Sequence, residues 1–258
     1  MLSRLNAVTG MSGAVLMLVL SGTALAQDAI VAEEIDFIRH GQSEDNLDAG
    51  QPVVSLSGKI SPSRGKILSG WNAASLTMQG VSEAVKAGES LKAHESEAVV
   101  ALKDAKWVYS PLLRTQQTLA GVMVGAGIAD DKAIQAATPD PRLFERSAGR
   151  VTNLTWDEAG AVWPEMQKGR DARIFTDATF GYPNGESLSD VYRRSADAIN
   201  DYAKTNKRIV FVSHELTIKA MLAYLLDGKI DNAAFKYKVE NAKPITLRRV
   251  NDKWIMVQ

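Results

Sequence analysis

Cysteine is missing from all 258 residues. That excludes disulfides, a thiolate nucleophile and thiolate metal sites together, and it suits a protein exported without oxidative folding. Charge of one sign is not in excess either, with 30 basic and 30 acidic residues. A nucleic-acid or membrane-surface partner goes with a basic bias and is not indicated, so any positive potential must be local, as a small anionic substrate requires. Internal repeats and low-complexity tracts are absent. Histidine is scarce: His40, His94 and His214 are the whole set.

The amino terminus reads as a leader. Arg4 is a positive n-region, Gly13–Leu20 an apolar core, and Ala24-Leu25-Ala26 a small-residue site for cleavage before Gln27. The alternative, an uncleaved anchor, meets a core short of the ~20 apolar residues a span needs. No cysteine follows the site, which excludes a lipoprotein. The expectation is a signal peptide at 1–26, cut after Ala26, and a periplasmic or secreted mature chain at 27–258. Losing the leader removes Arg4 and leaves 29 basic residues against 30 acidic. That length suits one domain with a sizeable core.

Strand-like runs and helical patterns alternate. The strands are expected at Glu34–Ile38, Trp107–Tyr109 and Ile209–Val212, with a closing hairpin of Ile245–Val250 and Lys253–Val257 turned at Asn251-Asp252. Helices are expected at Thr77–His94, Leu112–Val124, Thr155–Gln167, Ser187–Ala203 and Thr217–Leu226. The alternation argues for a layered α/β fold with strands mostly parallel. Asp48–Ala74 and Phe175–Gly185 lack periodicity and read as long loops over the sheet's working edge, and loops of this length are usually functional.

Three strand ends carry the chemistry. Ile35-Asp36-Phe37-Ile38 runs into Arg39-His40-Gly41, where the glycine allows a sharp turn. That puts Arg39 and His40 at a carboxyl strand end, where open α/β sheets form ligand crevices. A guanidinium can fork onto phosphoryl oxygens while a neutral imidazole nitrogen attacks phosphorus. Trp107-Val108-Tyr109-Ser110-Pro111 leads into a helix with Arg114 about one turn in, and Ile209–Val212 ends in Ser213-His214-Glu215. His40 and His214 follow such strands, whereas His94 sits in a charged helix end and reads as a surface residue. Two acids accompany them. Glu145 lies in a loop before Gly149, with an ion pair to Arg142 or Arg146 as its structural alternative. Glu186 opens a helix, where a carboxylate also suits the positive helix end.

Arg39-His40-Gly41-Gln42-Ser43 with Asn46, Leu76-Thr77 with Gly80, Ser110–Thr115, Glu145, Gly185-Glu186-Ser187 and Ser213-His214 together resemble the histidine phosphatase superfamily, in the branch typified by cofactor-dependent phosphoglycerate mutase. The motifs come in family order and span 35–220. The resemblance implies a three-layer α/β/α sandwich with a mostly parallel central sheet. It implies His40 as the nucleophile that becomes phosphohistidine. Arg39, Arg114, His214 and Asn46 would hold the phosphoryl oxygens, with His214 counted among the catalytic residues, and Glu145 would be the general acid. No metal and no cofactor is expected, because side chains supply the cations.

One position departs from that branch, which carries glycine where Glu215 stands. Pointing inward, this carboxylate would repel a dianionic substrate or act as a second proton donor; pointing outward, it would change little. The long loop brings Lys59, Arg64 and Lys66, which could select a leaving group or simply be solvated. The leading expectation is an exported, metal-independent phosphomonoesterase acting on a small phosphorylated metabolite or sugar phosphate. A phosphoglycerate mutase-type phosphotransferase and a non-catalytic phosphate-ester-binding protein are the alternatives. The partner expected is a small-molecule phosphate ester, with no membrane span in the mature chain; oligomeric state is not specified.

Overall fold

The computed structural model describes residues 30–166 and 172–257. The leader expected at 1–26, its cut after Ala26, and Gln167 lie outside them. The strands in chain order are β1 (Glu34–Arg39), β2 (Pro52–Val54), β3 (Ile60–Pro62), β4 (Lys106–Tyr109), β5 (Thr138–Pro139), β6 (Arg208–Ser213), β7 (Ile245–Val250) and β8 (Lys253–Met256). The helices are α1 (Met78–Ala93), α2 (Leu113–Gly125), α3 (Asp131–Ala136), α4 (Trp156–Val162), α5 (Leu188–Ala203) and α6 (Glu215–Leu222).

The central sheet runs β5-β4-β6-β1-β7-β8. β5, β4, β6 and β1 are parallel, while β7 and β8 add an antiparallel edge. Buried strands alternate their faces. Ile35, Phe37, Ile209 and Phe211 pack under α5 and α6, against Ile199, Ile218 and Met221. Ile38, Val210 and Val212 pack on the other side under α1 and α2, against Leu91, Leu119 and Val122. Helices on both faces of a mostly parallel sheet make the expected three-layer α/β/α sandwich.

The hairpin turn at Asn251-Asp252 has φ of 49° and 62°, the left-handed pair that a tight two-residue hairpin turn uses. Thr77, where the helix was expected to start, caps α1, its side chain accepting from the Gly80 amide. Gly80 has a second duty: a Cβ there would lie 2.0 Å from the Gln42 carbonyl oxygen, and one on Gly41 would lie 2.3 Å from that of Gly80. The start of α1 therefore presses directly on the turn after β1, which carries His40.

Several expectations on element bounds are corrected. Asp48–Ala74 is not loop throughout: β2 and β3 pair as a separate two-stranded sheet, tied to α4 by Arg64 Nη2, 3.1 Å from each Glu158 oxygen. Short, irregular strands in a polar stretch give no period to read. α4 stops at Val162, because Pro164 cannot continue a helix, and a 3-10 turn follows. α6 begins two residues earlier than expected and widens after Leu222 into a π turn that ends at Gly228, φ 66°. β5 and α3 went unexpected; both are too short to show a pattern.

Candidate active site

Register assembles the site. β1 and β6 pair with Arg39 opposite Ser213, and β6 and β4 pair with Val212 opposite Tyr109. The next residues, His40, His214 and Ser110, therefore stand in a row at the carboxyl end of three adjacent strands. The ladder extends past the strand ends to hold them: His40 N–H donates to Ser213 O and Ser110 N–H to Val212 O, each at 3.0 Å. The two imidazole centroids are 5.3 Å apart.

His40 is only 5% exposed, and its Nδ1 lies 2.8 Å from the Gly41 carbonyl oxygen. A carbonyl only accepts, so Nδ1 carries the proton and Nε2 keeps its lone pair. Burial, then the positive charges of Arg114 and Arg39, push this imidazole well below its ordinary pKa. It is neutral across the physiological range, as a nitrogen nucleophile must be. His214 is fully buried and also pushed well below its ordinary value, by burial and then Arg114. Its Nε2 lies 2.8 Å from Ser110 Oγ, and its Nδ1 has no partner.

Two guanidinium groups flank His40. Arg114, in the first turn of α2, is 1% exposed and gives Nη2 to Gly70 O at 2.9 Å and Nη1 to Asn72. Arg39 gives Nη1 to Val239 O at 3.0 Å. In both, the buried Nε has no partner. A buried donor without an acceptor is costly, and two on cations beside a neutral imidazole mark a place made for an anion. Asn46 commits Oδ1 to the Ser43 N–H and hydroxyl, at 2.9 and 3.0 Å, so its amide N–H group is what remains for a ligand.

Glu145 reaches the same cavity, of about 400 Å³, which Arg39, His40, Asn46 and Arg114 also line. Burial holds its carboxyl above the usual carboxylate range, against the pull of the Arg146 amide and of Arg114. Its main chain is braced: Trp71 Nε1 donates to Glu145 O at 2.6 Å and Arg194 Nη2 at 3.2 Å. The expected structural alternative was an ion pair to Arg142 or Arg146. Arg142 pairs instead with Asp140 and Asp201. Arg146 meets Glu145 through its main-chain N–H at 2.7 Å, while its guanidinium goes to Ile174 O and the Tyr182 hydroxyl. Glu186 stands outside the cavity, accepting from Ser147 N–H at 2.8 Å and pairing with Arg194 at 2.8 Å. It fixes the loop that presents Glu145, while Ser187 and Asp190 cap α5.

The structure thus brings together Arg39, His40, Asn46, Arg114 and Glu145 around one cavity and sets His214 beside His40, behind the cavity wall. His94 is at the far end of α1, exposed. Of the three loop cations, Lys66 lines the cavity, Arg64 holds α4, and Lys59 lines a separate groove. Glu215 lies at the cavity wall with both oxygens on cations, Arg39 and Lys219. Sequence reasoning missed Lys219, although its place four residues after Glu215 on a helix was a legible pairing signal. It also missed Asn72 and Gly70, which hold Arg114 through a loop with no pattern, and the cavity-lining role of Arg146. That last side chain is buried between Phe175 and Tyr182, 5.1 and 4.7 Å from their ring centres. Among the described residues, no three His, Asp or Glu side chains gather as metal ligands, and no helix is long and apolar enough to cross a membrane.

A family model described as histidine phosphatase superfamily (branch 1) matches residues 35–258. A 2,3-bisphosphoglycerate-dependent phosphoglycerate mutase of Mesorhizobium japonicum is 27% identical over 212 residues, 81% of this chain and 88% of the relative. One from Bradyrhizobium sp. (strain BTAi1) is 29% identical over 225 residues, 84% of this chain and 92% of the relative. Among solved structures, a mycobacterial glucosyl-3-phosphoglycerate phosphatase superposes with a TM-score of 0.64 at 22% identity, over 88% of this chain and 98% of that one.

Proposed function

The chain belongs to the histidine phosphatase superfamily, and on that premise we propose that it is a metal-independent phosphomonoesterase working through a phosphohistidine on His40. The observation that carries the reading is a buried, neutral His40 with Nε2 free, between two guanidinium groups whose buried Nε donors lack partners. His40 Nε2 attacks phosphorus as the bond to the ester oxygen breaks, and Glu145 gives its proton to the departing oxygen. Arg39, Arg114 and the Asn46 amide hold the phosphoryl oxygens, whose charge grows in the transition state, while His214 stands behind the cavity wall beside His40. Water then attacks the phosphohistidine, the Glu145 carboxylate takes the proton, and inorganic phosphate leaves with His40 neutral again. The raised pKa of Glu145 suits both halves of this cycle.

A phosphoglycerate mutase would share these residues, and the curated relatives carry that name. The esterase reading adds export, drawn from the leader at 1–26, since glycolytic substrates are not expected outside the cytoplasm. The test is residues 27–258 with a panel of phosphate esters and a chelator present. Release of inorganic phosphate, with an acid-labile phosphoenzyme on rapid quench, supports the reading. Isomerisation of phosphoglycerate without phosphate release would replace it by the mutase, and activity restored only by a divalent ion would end the metal-free mechanism. Intact mass of the protein recovered from the periplasm, beginning at Gln27, tests the leader.

A further inference from the structure

Glu215 is the one charged residue at the cavity wall whose counterpart in the related branch is glycine. Its Oε2 lies 3.0 Å from Arg39 Nη1 and its Oε1 3.1 Å from Lys219 Nζ, one helical turn along α6. All three side chains line the cavity. Lys219 also donates to Phe235 O at 3.1 Å, so its ammonium is held in place. Glu215 thus has each oxygen engaged by a cation. Without it, Arg39 Nη1 and Lys219 would both face the cavity as cations needing an anion. Lys66, a further cation of this cavity, already has Asp48 at 3.1 Å.

We propose that Glu215 is a specificity-determining residue: its carboxylate occupies the place on Arg39 and Lys219 that a second acidic group of a substrate would take, so the cavity selects phosphate esters with uncharged leaving groups over those bearing a carboxylate or second phosphate. This rests on the esterase reading above. Glu215 engages Arg39 through Nη1, whereas the buried Arg39 Nε has no partner and Arg114 gives its Nη groups to Asn72 and Gly70. An extra carboxylate on the leaving group finds Arg39 Nη1 and Lys219 already paired and the Glu215 carboxylate in the place it would take.

The experiment measures binding in full-length protein carrying His40→Ala, which cannot turn over. Glycerol 3-phosphate and 3-phosphoglycerate serve as probes, differing in a hydroxymethyl against a carboxylate. The parent should prefer glycerol 3-phosphate. Glu215→Gln should move the ratio of dissociation constants toward 3-phosphoglycerate by on the order of tenfold, the size expected of one partly compensated charge a few ångströms away in a medium of effective dielectric about 20. Lys219→Gln, which strips Glu215 of a counter-charge, should move the ratio the opposite way, and it carries the test if Glu215→Gln does not fold. A parent that prefers 3-phosphoglycerate, or a ratio that neither substitution moves, overturns the proposal. Failure of the esterase reading is separate: it shows as no phosphate release from either ester by the His40 protein.

Discussion

Glu145→Gln isolates the acid from the rest of the site, because glutamine keeps the shape and loses the proton. The structure gives Glu145 a raised pKa through burial, a braced main chain and a place in the cavity with His40. General acid catalysis is typically worth 10²–10⁴-fold, or about 3–5 kcal/mol of barrier at 1.36 kcal/mol per decade. An alkyl phosphate, whose oxygen leaves badly, should lose that whole factor in kcat/KM. A nitrophenyl phosphate, whose leaving group needs no proton, should lose little at the first step. The pH profile should change as well: activity should fall as pH rises through the Glu145 pKa, and the variant should lack that limb. Stability moves oppositely. A carboxyl whose folded pKa lies above its unfolded value costs nothing below the unfolded pKa of about 4.3, and its cost grows above that as the unfolded chain ionises first. Glu145→Gln should therefore melt higher at neutral pH and equally at pH below about 4, each 1 kcal/mol relieved being worth about 2–4 °C in a chain of this size. Equal losses of kcat/KM on both esters, or a lower melting temperature at neutral pH, would refute the assignment.

His40→Ala should abolish turnover and acid-labile phosphate incorporation, whereas His94→Ala should leave both intact; a phosphoenzyme trapped in the His40→Ala protein would contradict the nucleophile. Gly80→Ala should destabilise by at least ~1–3 kcal/mol in denaturant melts, since its Cβ would sit 2.0 Å from the Gln42 carbonyl oxygen; a neutral outcome would mean the α1 start can shift. His40 and His214 both have folded pKa values well below the ordinary histidine value, so the unfolded chain takes up protons that the folded one refuses. Stability should fall as pH drops below about 6.5, and the slope of unfolding free energy against pH should shrink in the His40→Ala protein.

Short apolar runs were enough to locate β1, β4 and β6, and with them the residues that follow: His40, Ser110 and His214. Such a run is local, so a strand end can be read from a few neighbours. The same held for the helix start at Thr77 and the Asn251-Asp252 turn, where side-chain chemistry and backbone preference act within four residues. Glu145 was legible only through its place in a family order of motifs, because nothing in Leu143-Phe144-Glu145 has a period. The tertiary structure decided the rest. That His40 and His214 stand 5.3 Å apart follows from the register of β1 on β6, a contact between segments far apart in the chain. Burial by the surrounding layers makes both imidazoles neutral. Whether Glu215 faced the cavity or the solvent could not be read from a helix start, since either direction satisfies the local backbone; Arg39, arriving from another strand, drew it inward. Local geometry can be written into a short run of residues, but the direction and charge state of a side chain depend on what the rest of the fold brings against it.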